Sequence, residues 1–166
     1  MGTELKTSAP VNPFMDLALW ACQWLDEYFY LALLVFTLIG LYAFKHKRVF
    51  VTALLLTALL SPVAKNFYAF DRPCAGVPEC PQSYGFPSIH SSVAAVFLVA
   101  SLGTPWFLFF LPASVAVASS RVFLGVHTVS QAAAGLAFGA TIYFFVWLAI
   151  HRFKDSRFVK RHGLLE

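Results

Sequence analysis

Residues 130–150 read SQAAAGLAFGATIYFFVWLAI, a run without a charged side chain. An α-helix needs roughly 20 predominantly apolar residues to cross the hydrocarbon core of a bilayer, and this run has that length. A basic cluster follows it closely and contains Arg152, Lys154, Arg157, Lys160 and Arg161. Because basic residues beside a span favour the cytoplasmic face, the stretch predicts a membrane-spanning helix whose carboxyl end faces the cytoplasm.

Four further apolar runs precede this span. They cover residues 28–44, 49–64, 91–102 and 106–118. The last two are separated by Gly103-Thr104-Pro105, a strong turn signal, so we expect two short helices joined by a tight turn. A second basic cluster, residues 45–48, separates the first two runs. With both basic clusters in the cytoplasm, residues 65–90 and 121–127 are predicted to lie on the extracytoplasmic side.

The composition agrees with a membrane protein. Of the 166 residues, 59% are hydrophobic and 12% are charged, whereas soluble domains are about half apolar and a quarter charged. The net charge of +4 lies largely in clusters beside apolar runs, and no basic face suited to nucleic acid is visible, so no nucleic-acid partner is expected. We predict an all-α integral-membrane helical bundle of five to six helices, in one domain that spans residues 1–166.

The two ends of the chain are predicted to lie outside the membrane core. Residues 1–13 are polar and contain proline, which indicates a flexible lead. Residues 14–26 mix Phe, Leu and Trp with Asp and Gln, a pattern that favours a short amphipathic helix at the membrane interface. Residues 152–166 are predicted to form a cytoplasmic tail. No basic stretch precedes a short apolar core near the start, so a cleaved signal peptide is not expected.

The three cysteines are Cys22, Cys74 and Cys80. None forms a CxxC pair, so a zinc site is not expected. Cys74 and Cys80 bracket a short segment on the predicted extracytoplasmic side. In an oxidising compartment they could form a disulfide, and the alternative is two unpaired thiols in a loop.

The predicted extracytoplasmic face gathers residues that carry chemistry. They are Lys65, Arg72, Ser88, His90, Arg121, His127 and Gln131. Ionisable residues at the ends of spans cost free energy unless they are paired or functional. Three cations and two imidazoles with almost no acidic partner favour an anion site, and a tetrahedral phosphate is the ligand that suits it.

The spacing of these residues supports one site. Lys65 and Arg72 are seven apart, so a helix that continues through both would stack them on one face. Ser88 precedes an apolar helix as a candidate N-cap, where free N–H groups and the positive helix end favour an anion. His127 and Gln131 are four apart, one helical turn, so the amide can reach the imidazole.

Three blocks together resemble the signature of the type 2 phosphatidic acid phosphatase superfamily. They are Lys65-x6-Arg72-Pro73, Pro87-Ser88-x-His90 and Ser120-Arg121-x5-His127-x3-Gln131. This superfamily includes membrane lipid phosphatases, glucose-6-phosphatase and the vanadium haloperoxidases. The resemblance covers residues 65–131 and implies an α-helical bundle that hydrolyses phosphate esters with no metal and no other cofactor.

The resemblance also implies a role for each matched residue. It assigns His127 as the nucleophile that forms a phosphohistidine, and His90 as the general acid that protonates the leaving oxygen and then activates water. The phosphoryl oxygens are assigned to Lys65, Arg72, Arg121, Ser88 and the backbone N–H of Ile89. Imidazoles are competent in both roles near neutral pH.

Two positions depart from the commonest pattern of that family. Ile89 stands where glycine is usual, and because a β-branched residue avoids positive φ, we expect ordinary helical backbone angles there. Gln131 stands where most members carry Asp, as in glucose-6-phosphatase-like members. Its amide oxygen can accept a hydrogen bond from His127 and orient the ring, but it carries no full negative charge.

The expected function is hydrolysis of a polyprenyl or glycerolipid phosphate or diphosphate that reaches an extracytoplasmic site from the bilayer. Gln131 leaves a sugar-phosphate phosphatase open, and a lipid phosphotransferase is a further enzymatic alternative. A non-catalytic phosphate-binding membrane protein is the alternative from another class. Binding needs only cations, whereas catalysis needs a nucleophile and an acid, so His127 with His90 favours an enzyme. The oligomeric state stays open.

Overall fold

The computed structural model describes residues 13–78 and 80–154, and within them the chain forms six helices and no strand. The helices are α1 (Pro13–Glu27), α2 (Phe29–Ala43), α3 (Lys47–Tyr68), α4 (Ile89–Ala100), α5 (Phe107–Phe123) and α6 (Val129–Lys154). The predicted all-α bundle of five to six helices is confirmed. Residues 1–12 of the predicted flexible lead lie outside the described residues. So does the predicted tail from residue 155 onward, which contains Arg157, Lys160 and Arg161.

Within the described part of the chain, two helices are long and apolar enough to cross a membrane, over Lys47–Tyr68 and Val129–Arg152. A third span results if α1 and α2, which meet at a bend of 67°, count as one broken span. At 1.5 Å per residue the 12 residues of α4 extend about 18 Å, less than the ~30 Å of a hydrocarbon core. The chain is an integral membrane protein, but the five spans expected from sequence include helices too short to cross a full bilayer alone.

The contact between α4 and α6 forms the centre of the bundle. A Cβ added at Gly135 would lie 2.4 Å from the carbonyl oxygen of Ser88, and one at Gly139 would lie 1.9 Å from that of Ser92. Small residues at four-residue spacing allow the backbones of membrane helices to approach this closely. The contact fixes the start of α4 beside the start of α6, and these two helix ends carry the second and third sequence blocks.

Aromatic side chains fill the opposite end of the core. Phe44 contacts Phe50 with ring centroids 4.9 Å apart, and Phe97 stacks on Phe110 at 5.4 Å. All four rings are buried. Offset and edge-to-face aromatic pairs of this kind add to the free energy gained from burial. The two ends of the bundle therefore differ, with an apolar core at one end and the polar residues of the sequence blocks at the other.

The turn between α4 and α5 agrees with the sequence. Gly103 adopts a positive φ of 76°, a backbone region that glycine enters without steric cost. The turn separates Ala100, the last residue of α4, from Phe107, the first of α5. The predicted pair of short helices is confirmed.

The end of α3 departs from the sequence prediction. The helix stops at Tyr68, and the next residue, Ala69, adopts a left-handed conformation while its N–H still donates to the carbonyl of Lys65. Arg72 therefore lies in a loop, and the prediction that one helix carries both Lys65 and Arg72 is wrong. Tertiary packing explains the early end, because Tyr68 turns onto Phe86 with ring centroids 5.0 Å apart.

Candidate active site

A cavity of about 360 Å³ lies where α1, α3 and α5 end and where α2 and α4 begin. Five of the residues expected from sequence line it, namely Lys65, Arg72, Ile89, His90 and Arg121. Segments far apart in the chain supply them, so the bundle brings the three sequence blocks to one place. The volume is ample for a phosphoryl group with part of its leaving group. Among the described residues, no group of three or more His, Cys, Asp or Glu side chains is placed to hold a metal ion.

His127 lies behind the wall of this cavity and is only 2% exposed. Its Nδ1 is 3.2 Å from the Oε1 of Gln131, and its Nε2 is 3.1 Å from an Nη1 of Arg72. A guanidinium can only donate, so Nε2 must accept. The proton of a neutral ring then sits on Nδ1 and is donated to the amide oxygen. This assignment follows from the hydrogen-bond partners and leaves the Nε2 lone pair facing the cations.

The contact expected between His127 and Gln131 is thus present, and further bonds fix the amide. The Oε1 of Gln131 also accepts from the backbone N–H of Thr128 at 3.1 Å. Its Nε2 donates to the carbonyl of Asp71 at 2.9 Å. Oxygen and nitrogen of the amide are therefore distinguished by their partners, and the orientation of the imidazole follows from them.

Arg72 is held by a residue that the sequence reasoning missed. The Nε of Arg72 donates to the carbonyl of Ser83 at 2.7 Å, and Nη2 donates to the Ser83 hydroxyl at 3.0 Å. A disulfide between Cys74 and Cys80 closes the loop that separates the two residues, so of the two alternatives the structure has the paired one. The loop from Arg72 to Ser83 therefore orients the guanidinium toward His127.

The surroundings of His127 favour its neutral form. Burial, followed by the positive charge of Arg72, lowers the pKa of His127 to about 4, and the hydrogen bond that the ring donates to Gln131 opposes this shift. Burial, followed by the charge of Arg121, also lowers the pKa of Arg72 from its usual value, although a guanidinium stays charged near neutral pH. A neutral imidazole, which keeps a lone pair on one ring nitrogen, is the form that a nucleophile requires.

Lys65 and Arg121, the two other cations of the site, have N–H groups available for a ligand in the cavity. The Nζ of buried Lys65 donates to the carbonyl of Tyr84 at 2.8 Å, and an ammonium has two more hydrogens to offer. Arg121 is 3% exposed, and its Nε has no hydrogen-bond partner among the described residues. A buried charged donor without a partner costs free energy, and a bound anion would remove that cost.

Ser88 and Ile89 lie at the start of α4 as expected. Ser88 is the N-cap residue, but its side chain makes no capping hydrogen bond and instead accepts from the Ser91 hydroxyl at 3.2 Å. Ser88 is fully buried, so the structure does not place its hydroxyl on the cavity wall. Ile89 has no positive φ, which agrees with the expectation of ordinary helical angles there.

Asp26 is the largest omission of the sequence reasoning, which expected almost no acidic partner at this site. Its Oδ1 accepts a hydrogen bond from Nη1 of Arg121 and lies 3.6 Å from Nε2 of His90. The order of the apolar runs and basic clusters already indicated where Asp26 lies. The apolar run of residues 28–44 ends at the basic cluster 45–48, which is predicted to lie on the side opposite the site, so a carboxylate just before that run lies at the level of the site.

The fold and the site together define a class, the helical membrane proteins with a cationic site and two histidines at their helix ends. The model of the PAP2 superfamily matches residues 46–155, more than half of the chain, so the chain belongs to the PAP2 superfamily. Residues 13–45, which include α1 and α2, lie outside that match.

One solved structure has the same fold. It is the crystal structure of the first transmembrane PAP2 type phosphatidylglycerolphosphate phosphatase from Bacillus subtilis, with a TM-score of 0.63 and 21% sequence identity. The similarity covers 90% of this chain and 82% of that one. No curated protein sequence matches the chain.

Proposed function

We propose that this protein is a membrane phosphatase that hydrolyses a lipid phosphate or diphosphate through a phosphohistidine at His127. The observation that carries the proposal is the state of that ring: buried, neutral, and with its Nε2 lone pair directed at a cationic cluster. Membership of the PAP2 superfamily supports a phosphatase. A protein that only bound phosphate would need the cations but no oriented lone pair.

The proposed reaction has two steps. The Nε2 of His127 attacks phosphorus while the bond from phosphorus to the lipid oxygen breaks, and His90 gives its proton to that oxygen. His90 then takes a proton from the water that attacks the phosphohistidine, which releases inorganic phosphate and restores both rings. Lys65, Arg72 and Arg121 stabilise the charge on the equatorial oxygens of the transition state.

Arg72 must move for the first step to occur. In the structure one of its Nη atoms occupies the lone pair of His127 Nε2, so the nucleophile is covered. A phosphate oxygen accepts a charge-assisted hydrogen bond that is stronger than the one to a neutral imidazole nitrogen. Substrate binding therefore draws the guanidinium from the ring to the phosphoryl group and uncovers Nε2.

The cavity wall supports a substrate that arrives from the bilayer. Tyr30 on α2 and Pro62 on α3 form part of it, and Tyr30 is 77% exposed on the outside of the bundle. A head group at the site can thus keep its chain beside lipid-facing helices. The name of the Bacillus subtilis protein, which describes a glycerolipid phosphate phosphatase, agrees with this substrate class. We therefore favour a lipid substrate over the sugar phosphate that Gln131 leaves open.

We further propose that the site faces away from the cytoplasm, because Lys45, Lys47 and Arg48 lie at the opposite end of the helices that carry it. Single cysteines introduced at Lys47 and at Gln82, in a protein with Cys22 replaced by serine, test this. An impermeant thiol reagent added outside intact cells should label position 82 and not position 47. Equal labelling of both from one side would contradict the proposed face.

The function is tested by phosphate release from the full-length protein in detergent. The substrates are a polyprenyl diphosphate, phosphatidate, phosphatidylglycerol phosphate and glucose 6-phosphate, with His127→Ala as the control. We expect release from a lipid substrate, persistence of activity in EDTA, and inhibition by vanadate, which mimics five-coordinate phosphorus. Release from glucose 6-phosphate alone would establish the sugar-phosphate alternative. Loss of activity in EDTA with rescue by Mg²⁺ would contradict the metal-free reaction.

A further inference from the structure

Two side chains of the bend between α1 and α2 contact His90 from different helices. Asp26 in the last turn of α1 places Oδ1 3.6 Å from the His90 Nε2. Phe29, the first residue of α2, has its ring centroid 4.0 Å from that of the imidazole. Neither residue belongs to the three sequence blocks, and neither lies in the region that defines the family.

Both contacts favour a protonated His90. A carboxylate near an imidazole stabilises the cation by Coulomb attraction, and solvent screens part of this attraction here because the Asp26 side chain is 44% exposed. An aromatic ring close to a cation stabilises it further. A general acid can act only while it carries its proton. Burial, followed by the charge of Arg121, lowers the pKa of His90 to about 3, and Asp26 opposes this shift.

We propose that the bend formed by Asp26 and Phe29 is the positioning element of the general acid, holding the His90 ring in place and opposing the loss of its proton. This inference rests on the proposed phosphatase function. Asp26 also pairs with Arg121, so one carboxylate links the leaving-group side of the site to a cation of its phosphate side. The N-terminal helices would thus be part of the catalytic machinery and not only an anchor.

The experiment compares two classes of leaving group in the full-length protein. Asp26→Asn keeps an oxygen that can accept from Arg121 but removes the charge. With a lipid phosphate, which has a poor leaving group, we expect kcat to fall about 10- to 100-fold while KM changes little. With p-nitrophenyl phosphate, whose leaving group needs little protonation, kcat should fall less than about threefold.

The matched control is Glu27→Gln, which removes the same charge from the exposed neighbouring position and should leave both rates unchanged. Asp26→Glu restores the charge and should recover part of the lipid-phosphate rate. Phe29→Leu keeps an apolar side chain but removes the ring, and it should show the same selective loss as Asp26→Asn. Thermal unfolding of each variant is measured alongside, and Phe29→Leu provides the comparison if Asp26→Asn does not fold.

The outcomes separate this inference from the function on which it rests. Equal losses on both substrates indicate a merely structural bend and overturn the inference, as do unchanged rates in Asp26→Asn and Phe29→Leu. In both cases the wild-type protein still hydrolyses lipid phosphate and the proposed function stands. No phosphate release from any substrate by wild-type protein overturns the function, and this inference with it.

Discussion

The two histidines of the site lie in environments of different origin. The partners of His127 are Gln131, four residues away, and Arg72, which belongs to the first sequence block. The partners of His90 are Asp26 and Phe29, which come from helices some sixty residues earlier in the chain and outside the family region. The His127 ring is therefore oriented by residues of the three sequence blocks, and the His90 ring by a segment outside all of them.

This difference suggests how the site divides its work. Around His127, burial and the charge of Arg72 lower the pKa, and the contacts with Arg72 and Gln131 fix a tautomer, which suits a nucleophile. Burial and the charge of Arg121 lower the pKa of His90 as well, but there the carboxylate of Asp26 opposes the shift, so only this ring has an acidic partner that helps it to keep a proton. The nucleophile side is defined by the superfamily signature, whereas the acid side depends on how α1 and α2 pack.

The largest expected effect is the loss of His127. His127→Ala removes the atom that attacks phosphorus, so turnover should fall by about 10⁴-fold or more and no phosphoenzyme should form. Rapid quench with a ³²P-labelled substrate measures both. The comparison variant is His90→Ala, which should slow lipid-phosphate turnover by about 10²- to 10⁴-fold yet still form phosphoenzyme from substrates with good leaving groups. Wild-type turnover in His127→Ala would refute the nucleophile assignment.

An intermediate effect is expected at Gln131, which fixes the tautomer of the nucleophile. Gln131→Ala removes the acceptor for Nδ1–H, so kcat should fall by roughly ten- to a thousandfold while substrate binding changes little. Gln23→Ala, at an exposed position of α1, is the control. Gln131→Asp should remain active with a shifted pH profile. Its carboxylate stabilises the imidazolium, whereas its shorter side chain weakens the contact with His127. Unchanged turnover and pH dependence in Gln131→Ala would remove this residue from the site.

The smallest expected effect is a shift in the pKa of His127. With a pKa near 4, His127 should stay neutral from about pH 5 upward in the free enzyme and become protonated only as the pH falls further. Replacing Arg72 by glutamine removes a positive charge and should raise the pKa of His127, while Gln131→Ala removes a hydrogen bond that favours the cation and should lower it. NMR of ¹³C-labelled histidine, assigned with the His127→Ala protein, measures both shifts. A pKa near 6.5 in the wild-type protein would contradict the buried environment.

Short-range expectations from the sequence were the most successful. The turn at Gly103, the start of α4 at Ile89 and the contact of His127 with Gln131 each depend on residues within a few positions of one another. Local backbone preferences and one helical turn are enough to fix them. The failure at Arg72 has the opposite cause, because aromatic packing between Tyr68 and Phe86 ends α3 before the expected position.

The sequence by itself determined the all-α membrane class, since only helices or closed barrels satisfy backbone hydrogen bonds in lipid and the apolar runs have helical length. It also predicted a set of side chains for a phosphate site, because cations and histidines at span ends cost free energy unless they are paired or functional. Only the tertiary structure decided that Asp26 reaches His90 and Arg121, that Ser83 holds Arg72, and that the Arg72 guanidinium covers His127. These contacts depend on the bend between α1 and α2 and on the path of the disulfide loop, and long-range packing of this kind leaves no periodicity in the sequence.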